Sequence, residues 1–436
     1  MADPISTGLQ SQLGLETTQG TPVPGNKLFP SMTFDLDPDL PIFQYTGTGR
    51  RFPSVAAPTG EEMAKGKLGG PMTFQELEYA LAMAFGAPVF TTPTNGIVAR
   101  QSKWIVPLTG RINPKAFTLE QGDADDSERF PGMVATGLGW DVTRKDGKLS
   151  GELLAFPLQK NGASGFAGMT GSPTALANVP IISNTWQLYL DPTSANIGTT
   201  LITAPFHFVF NISSLFSPYF VLNSAVVGPQ GVADIIPKGS FNIEALKSPL
   251  TGQAETWWSY ARGGSKVYVR FKSTGPLLDN YQILTVTGTP TGGTFLLTYK
   301  GQSATIQWNS TTAQTQTALQ ALSTIGTNNC LVTGGTLPGA TQTITMAGTL
   351  ANDATLITVG TNSLTGGASP TPTLGTSTQI PYSLTADMCG AIDNPTGTKN
   401  FEGARSRDVP FAVMEDAGWA SGQAIVLTLV NTLAAL

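Results

Sequence analysis

Charge is scarce in this chain. Lysine, arginine, aspartate and glutamate make up 12% of its 436 residues, and their balance is −5 at pH 7. Gripping nucleic acid requires a basic patch that releases counterions, so this balance argues against affinity for DNA or RNA. Histidine occurs once, at His207. Any catalytic triad, general base or histidine-ligated metal would have to use it. It stands in a run where Phe206, Phe208 and Phe210 alternate with His207, Val209 and Asn211, and a structural role is expected. Gly-x-Ser-x-Gly, Walker, dinucleotide and Cys-x-x-Cys motifs are all missing. No enzymatic activity, cofactor or metal is therefore expected. The two cysteines, Cys330 and Cys389, fall in segments assigned below to different domains and read as free thiols of a reducing cytoplasm. No apolar run reaches 18 residues, so no membrane span is expected. Met1–Ile5 has neither a basic nor an apolar leader pattern, which argues against secretion.

Glycine, threonine, serine and proline abound, and that composition suits a turn-rich all-β chain. The length points to two domains. The plainest local signal is a hairpin. Leu138, Trp140 and Val142 alternate with Asp141 and Thr143. Lys145-Asp146-Gly147-Lys148 then turns the chain, and Leu149, Gly151 and Leu153 alternate with Ser150 and Glu152. Period-two patterning around an Asp-Gly turn is a strong hairpin signature, with one face on a core and the other wet. In front of it runs an acidic loop, Asp123, Asp125, Asp126 and Glu128, followed by Arg129-Phe130-Pro131-Gly132-Met133. The loop lacks the spacing, glycine and distal glutamate of a calcium loop, so a solvated surface is the better reading, with a bound cation left open.

That order of Glu-Gln-Gly-Asp, acidic loop, Arg-Phe-Pro-Gly-Met, alternating strand, Asp-Gly turn and Leu-Ser-Gly-Glu-Leu-Leu strand resembles the tail tube (major tail) proteins of long-tailed bacteriophages. Gly8–Pro22 is similar to that family's start, Thr46–Ser54 to its long extended loop, and Ala424–Leu433 to its last strand. The resemblance implies a structural virion protein. Six copies would form a ring, with rings stacked into the channel for DNA ejection, and the tail of the virion would be assembled in the host cytoplasm. It implies self-association, contacts with other tail proteins such as tape measure and terminator, and DNA passing without specific binding. The loop over residues 44 to 70 would reach the next ring, with Thr46, Arg50, Arg51, Phe52, Glu61 and Glu62 as its stacking residues. Asp141, Thr143, Ser150 and Glu152 would face the lumen, and Arg144, Lys145 and Lys148 would form a basic hairpin tip meeting the adjoining ring.

Elsewhere, residues 1 to 30 read as an arm that orders only against a neighbour. Thr73 and Glu76 form a capping box, and Phe74, Leu77, Leu81 and Phe85 recur at helical spacing up to Gly86. That apolar stripe is expected to lie on a sheet. Trp257-Trp258 reads as a strand pair pointing to opposite faces. Lys266–Lys272 alternates charged and apolar residues, so one face meets water or a charged partner. From Ile283 to Thr378 the only charged residues are Lys300 and Asp353, which marks a separate domain. Its Gly-Gly-Thr-Phe-Leu-Leu-Thr-Tyr-Lys-Gly, Ala-Leu-Gln-Ala-Leu and Val-Thr-Gly-Gly-Thr-Leu-Pro-Gly segments, in that order, resemble an immunoglobulin-like module of phage and bacterial surface proteins, with a short helix over Thr312–Leu322. Asn280-Tyr281 and Pro381–Leu384 flank it as one continued strand or hairpin. The expected fold class is mainly β. A tail-tube β-sandwich or barrel with one flanking helix (1–281 and 379–436) carries an inserted immunoglobulin-like β-sandwich (282–378) as surface decoration. The rival readings are a secreted or surface glycan-binding adhesin and a β-rich hydrolase.

Overall fold

A computed structural model describes residues 10–46, 48–49, 51–52, 55–58, 61–94, 96–107, 111–123, 126–162, 166–169, 171–202, 205–222, 228–246, 253–394, 399–401, 404–419 and 423–436. Among the described residues the chain is mainly β, with 53% of residues in strands, 9% helical and three helices. In the body, β1 (Gln10–Leu15), β2 (Thr33–Asp39), β3 (Ile42–Tyr45), β4 (Val55–Pro58) and β5 (Met63–Pro71) precede α1 (Glu76–Phe85). Then come β6 (Arg100–Pro107), β7 (Phe117–Gly122), β8 (Ser127–Thr143), β9 (Gly147–Ala155), β10 (Trp186–Asp191), β11 (Pro205–Ser213), β12 (Phe216–Tyr219), β13 (Gly231–Asp234) and β14 (Lys238–Leu246). Next are α2 (Gln253–Gly263) and the 22-residue β15 (Lys266–Thr287). The insert holds β16 (Gly292–Tyr299), β17 (Gln302–Gln307), α3 (Thr312–Gln320), β18 (Cys330–Gly334), β19 (Gln342–Met346), β20 (Thr358–Thr365) and β21 (Thr371–Leu374). The body closes with β22 (Thr378–Ile392), β23 (Ala404–Val413) and β24 (Gln423–Asn431). Five strands of two or three residues complete the described set.

The main sheet runs β2–β5–β9–β8–β11–β14–β23, antiparallel throughout. A second run, β6–β24–β22–β15–β10, is antiparallel as well and joins the first where β22 meets β23. The first half of β8, Ser127 to Met133, pairs instead with β7, which carries β1 on its far side, while the β8–β9 ladder from Val134 onward is irregular between Ala135 and Gly137. One large hydrophobic core unites these layers.

Helix α1 lies against β8 and β6, so it has a layer on either side. Residues 76 to 84 are all buried. The apolar stripe lying on one sheet is thus corrected to a helix enclosed all round. Its start is also only half the expected box. Thr73 Oγ1 accepts the Glu76 amide at 3.2 Å, but the Glu76 carboxylate takes the amides of Ser31 and Met32 at 2.8 and 3.2 Å. Gly86 ends the helix with φ of 85°, a conformation a side chain resists, and its amide bonds Ala82 O.

Other expectations change too. Residues 10 to 28 are not a detached arm, because β1 pairs with β7 along six residues and Leu13 is 1% exposed. Residues 1–9 lie outside the described residues. Trp257-Trp258 stand on α2, ahead of the glycines that stop it, and Trp257 is buried. The stretch 44–70 is no unstructured loop either. Its second half is β5, paired on both sides, so only the β3–β4 hairpin projects.

Strand β15 carries the body into the insert without a break. Val267, Val269, Phe271 and Leu278 enter the body core, while Leu284 and Val286 enter a second core with Phe295, Ile306, Leu319 and Ile344. The boundary read at 281/282 therefore falls inside a strand. Tyr281 pairs directly with Thr378 on β22, so chain entry and exit of the insert are adjacent. Two sheets, β17–β16–β20 and the β15, β18, β19 and β21 ladders, surround that core with α3, whose cap is a reciprocal Thr311–Gln314 box.

Candidate functional site

Alternation on β8 and β9 sorts the hairpin residues cleanly. Leu138, Trp140, Val142, Leu149 and Leu153 are 6% exposed or less, and the Trp140 ring packs 4.4 Å from Phe210. Burial of each such large side chain contributes roughly 1.5–3 kcal/mol. Asp141, Ser150 and Glu152 are exposed and Thr143 is half-buried, all on the other face. Strand pairing extends this wet face across the sheet. Glu152 stands opposite Lys67, which stands opposite Asp35, while Asp37 stands opposite Lys65. On the other side, Thr143 faces His207, His207 faces Glu244, and Glu244 faces Asp408. Asp39 on β2 and Lys238 on β14 complete the charged set by strand alternation. Among the described side chains of these seven strands, the face bears seven carboxylates (Asp35, Asp37, Asp39, Asp141, Glu152, Glu244, Asp408) against four lysines (Lys65, Lys67, Lys148, Lys238).

Its middle is bare. Gly137 and Gly139 leave a shallow depression rimmed by Lys67, Asp141, Ser150, Glu152 and Asn211. A Cβ on Gly139 would stand 2.8 Å from Phe210 O, so the adjacent strand admits only glycine there without shifting.

The turn is shorter than the sequence indicates. Thr143 N bonds Asp146 O at 2.9 Å, and β9 already begins at Gly147. Arg144 and Lys145 are exposed at the tip. Lys148 is not part of that tip. It sits on β9 directly opposite Asp141, on the same face as Ser150 and Glu152, with its ammonium 3.1 Å from Asp146. Lys148 and the Thr143 hydroxyl hold the Asp146 carboxyl below its usual range.

His207 belongs to this face rather than to a nest of phenylalanines. Its Nε2 is 2.9 Å from Asp141 Oδ1 and its Nδ1 is 3.5 Å from Glu244 Oε2. Phe208 and Phe210 point the opposite way into the core, as period-two geometry requires; the side chain of Phe206 lies outside the described residues.

Of the proposed stacking residues, Thr46, Arg51, Phe52 and Glu61 are exposed and Glu62 is half-buried. Arg50 lies outside the described residues. Phe52 is 79% exposed on the β3–β4 connection, but Glu61 and Glu62 stand just before β5, away from it. In the acidic loop, Asp123 Oδ1 accepts the Asp126 amide at 2.8 Å and Glu128 pairs with Lys160 at 3.5 Å, while Asp125 lies outside the described residues. No group of three or more His, Cys, Asp or Glu placed to hold a metal occurs among the described residues. The charged face of Lys266–Lys272 finds its partners within the chain: Arg270 makes a two-pronged pair with Asp387 at 2.6 and 2.8 Å, and Lys266 reaches Asp416 at 3.5 Å. No helix is long and apolar enough to cross a membrane among the described residues.

Sequence reading missed the buried carboxylates. Glu78 on α1 is fully buried, and accepts from Ser102 Oγ at 2.8 Å and from Asn431 Nδ2. Burial outweighs those donors and pushes its carboxyl up to about 7. The available signal was two glutamates two positions apart in an otherwise apolar helix, which cannot both face water. No family model matches the chain, and no curated protein matches it.

Proposed function

We propose that this chain is a tail tube subunit of a long-tailed bacteriophage, a structural virion protein that self-associates into stacked rings around a DNA channel. The observation that carries the reading is the wet face of the main sheet. Seven strands present a continuous wall whose described side chains include seven carboxylates against four lysines, an acid-leaning surface along which a polyanion passes without being held. Asp141, Thr143, Ser150 and Glu152 lie at its centre. The resemblance in the order of motifs supplies the identity of the polyanion and the ring geometry, including six copies per ring.

Strand β2 supports the same reading. Its second edge pairs with no described strand, so it offers amides and carbonyls to a neighbouring subunit, while Asp35 and Asp37 discourage indiscriminate pairing. The insert, entered and left at adjacent residues, is then a decoration carried outside the channel. The β3–β4 hairpin with Arg51 and Phe52 serves longitudinal stacking, tape measure and terminator proteins are the partners at the tube ends, and the chemistry is assembly rather than catalysis. Trp257, buried in the body core, is not available to stack on a sugar, which weakens the adhesin reading.

Electron microscopy of the purified chain is the direct test. Rings or tubes are expected, and dispersed monomers at high concentration overturn the reading. Asp141→Lys with Glu152→Lys should leave tubes intact but slow or block genome ejection; unchanged ejection removes the lumen assignment.

A further inference from the structure

We propose that Asp279, Asn280 and Gln282 of β15 lock the insert in one orientation on the body, so that the two move as a single piece. Units joined over a modest contact swing against each other by default, so a fixed mount needs a device. The inference goes beyond tube assembly and does not rest on it.

The device begins with a change of face along β15. Val267, Val269 and Phe271 point inward from odd positions, whereas Leu278, Leu284 and Val286 point inward from even ones. Between them the ladder with β22 is irregular, from Thr274 to Leu277 and again from Leu277 to Asp279. Bulges of this kind bend a strand and re-aim its side chains. The bend sets the direction in which the insert leaves the body.

Just past it, where one core gives way to the other, the buried side chains are polar. Asp279, Asn280 and Gln282 are 0, 2 and 7% exposed. Asp279 grips the body through the amides of Ile97, Val98 and Ala99. Asn280, leaving the opposite face of the strand, grips the insert. Its Nδ2 donates to Asp353 O at 2.8 Å, and its Oδ1 accepts from the Ser377 hydroxyl. Gln282 holds the Ile357 amide and carbonyl together. None of the three leaves a buried side-chain polar atom without a partner. An apolar neck would tolerate sliding, because hydrophobic contact is non-directional. A satisfied polar neck admits only the arrangement that pairs it. The backbone has no slack here either. Asn280 and Tyr281 pair with Met346 and Thr345 of β19 on one edge, and with Gln379 and Thr378 of β22 on the other.

Spin labels on the full-length chain test the lock, at Gln187→Cys in the body and Thr305→Cys in the insert, both exposed positions. Cys330 and Cys389 are buried and do not compete for label. Labelled chain is diluted into unlabelled chain, so that only the pair within one molecule is read. Pulsed electron paramagnetic resonance should give one narrow distance distribution, and Asn280→Ala should at least double its width. Ser377→Ala removes a single partner and should broaden it less; it decides the matter if Asn280→Ala does not fold. A broad distribution in the parent chain, or an unchanged width in every folded variant, overturns the lock.

Discussion

The body and the insert solve the same problem with different side chains. In the body, buried carboxylates gather the amides of loops that sheet pairing leaves unpaired. Asp279 takes the amides of Ile97, Val98 and Ala99 at 2.8 to 3.2 Å. Asp191 takes those of Gly198, Thr199 and Thr200 at 2.8 to 3.2 Å. Burial raises the Asp191 carboxyl, but these donors and the Thr199 hydroxyl outweigh it and hold it below its usual range. Glu16 takes Gly20 and Gly132, both at 2.7 Å, yet there burial wins and the carboxyl is raised. The insert does this work with neutral amides. The Gln282 side chain accepts the Ile357 amide at 2.7 Å and donates to its carbonyl at 3.0 Å, and Gln342 donates to Ser310 O at 2.8 Å. Its only two charges, Lys300 and Asp353, pair with each other at the surface. The difference teaches that the body ties loop amides with ionisable carboxylates where the insert uses neutral amides, so between pH 5 and 8 the body should respond to pH and the insert should not.

Removal of Asp279 should have the largest effect. Asp279→Ala strands three loop amides and is expected to cost about 3–5 kcal/mol in denaturant unfolding; a loss under 1 kcal/mol would mean that water replaces the carboxylate without penalty. Glu78 comes next. Its carboxyl titrates at about 7 in the folded chain against an ordinary value of 4.5, so the folded state holds the proton more tightly. The stabilisation is then fully present below pH 4.5 and is lost as pH rises through 7, up to roughly 3 kcal/mol. Thermal melts from pH 4.5 to 8 should show that loss, and Glu78→Gln should flatten it; an equally steep profile in the variant assigns the effect elsewhere.

In the insert, Gln282→Ala should cost about 1–2 kcal/mol from a two-way hydrogen-bonded amide, with no pH dependence between 5 and 8. A pH-dependent loss would break the contrast between the two regions. Lys300→Met should be the mildest, because an exposed pair contributes little. Its melting temperature is expected to match the parent at moderate salt, and a clear drop would give the pair a structural role that its exposure does not indicate.

Period-two patterning made the hairpin, the β11 run and the β15 strand legible, because side chains on a strand must alternate whatever the surroundings. The capping residues and Gly86 marked α1 for the same local reason, and the fall in charge after Ile283 announced a second hydrophobic core. What the neighbours decide was not legible. Lys148 reads as a turn residue until register places it opposite Asp141. Trp257-Trp258 reads as a strand pair until the segment folds as a helix with Trp257 in the core. His207 stands beside Phe206 and Phe208 in the chain but meets Asp141 and Glu244 in space, from positions 66 and 37 residues away. By itself, then, the sequence determined the alternating strands of the hairpin, β11 and β15 and which of their faces is wet, together with the ends of α1, since those follow from local stereochemistry and polarity. Only the tertiary structure decided which wet faces merge into one acid-leaning wall, and which carboxylates turn inward, because strand register and the satisfaction of buried amides are set by segments far apart in the chain.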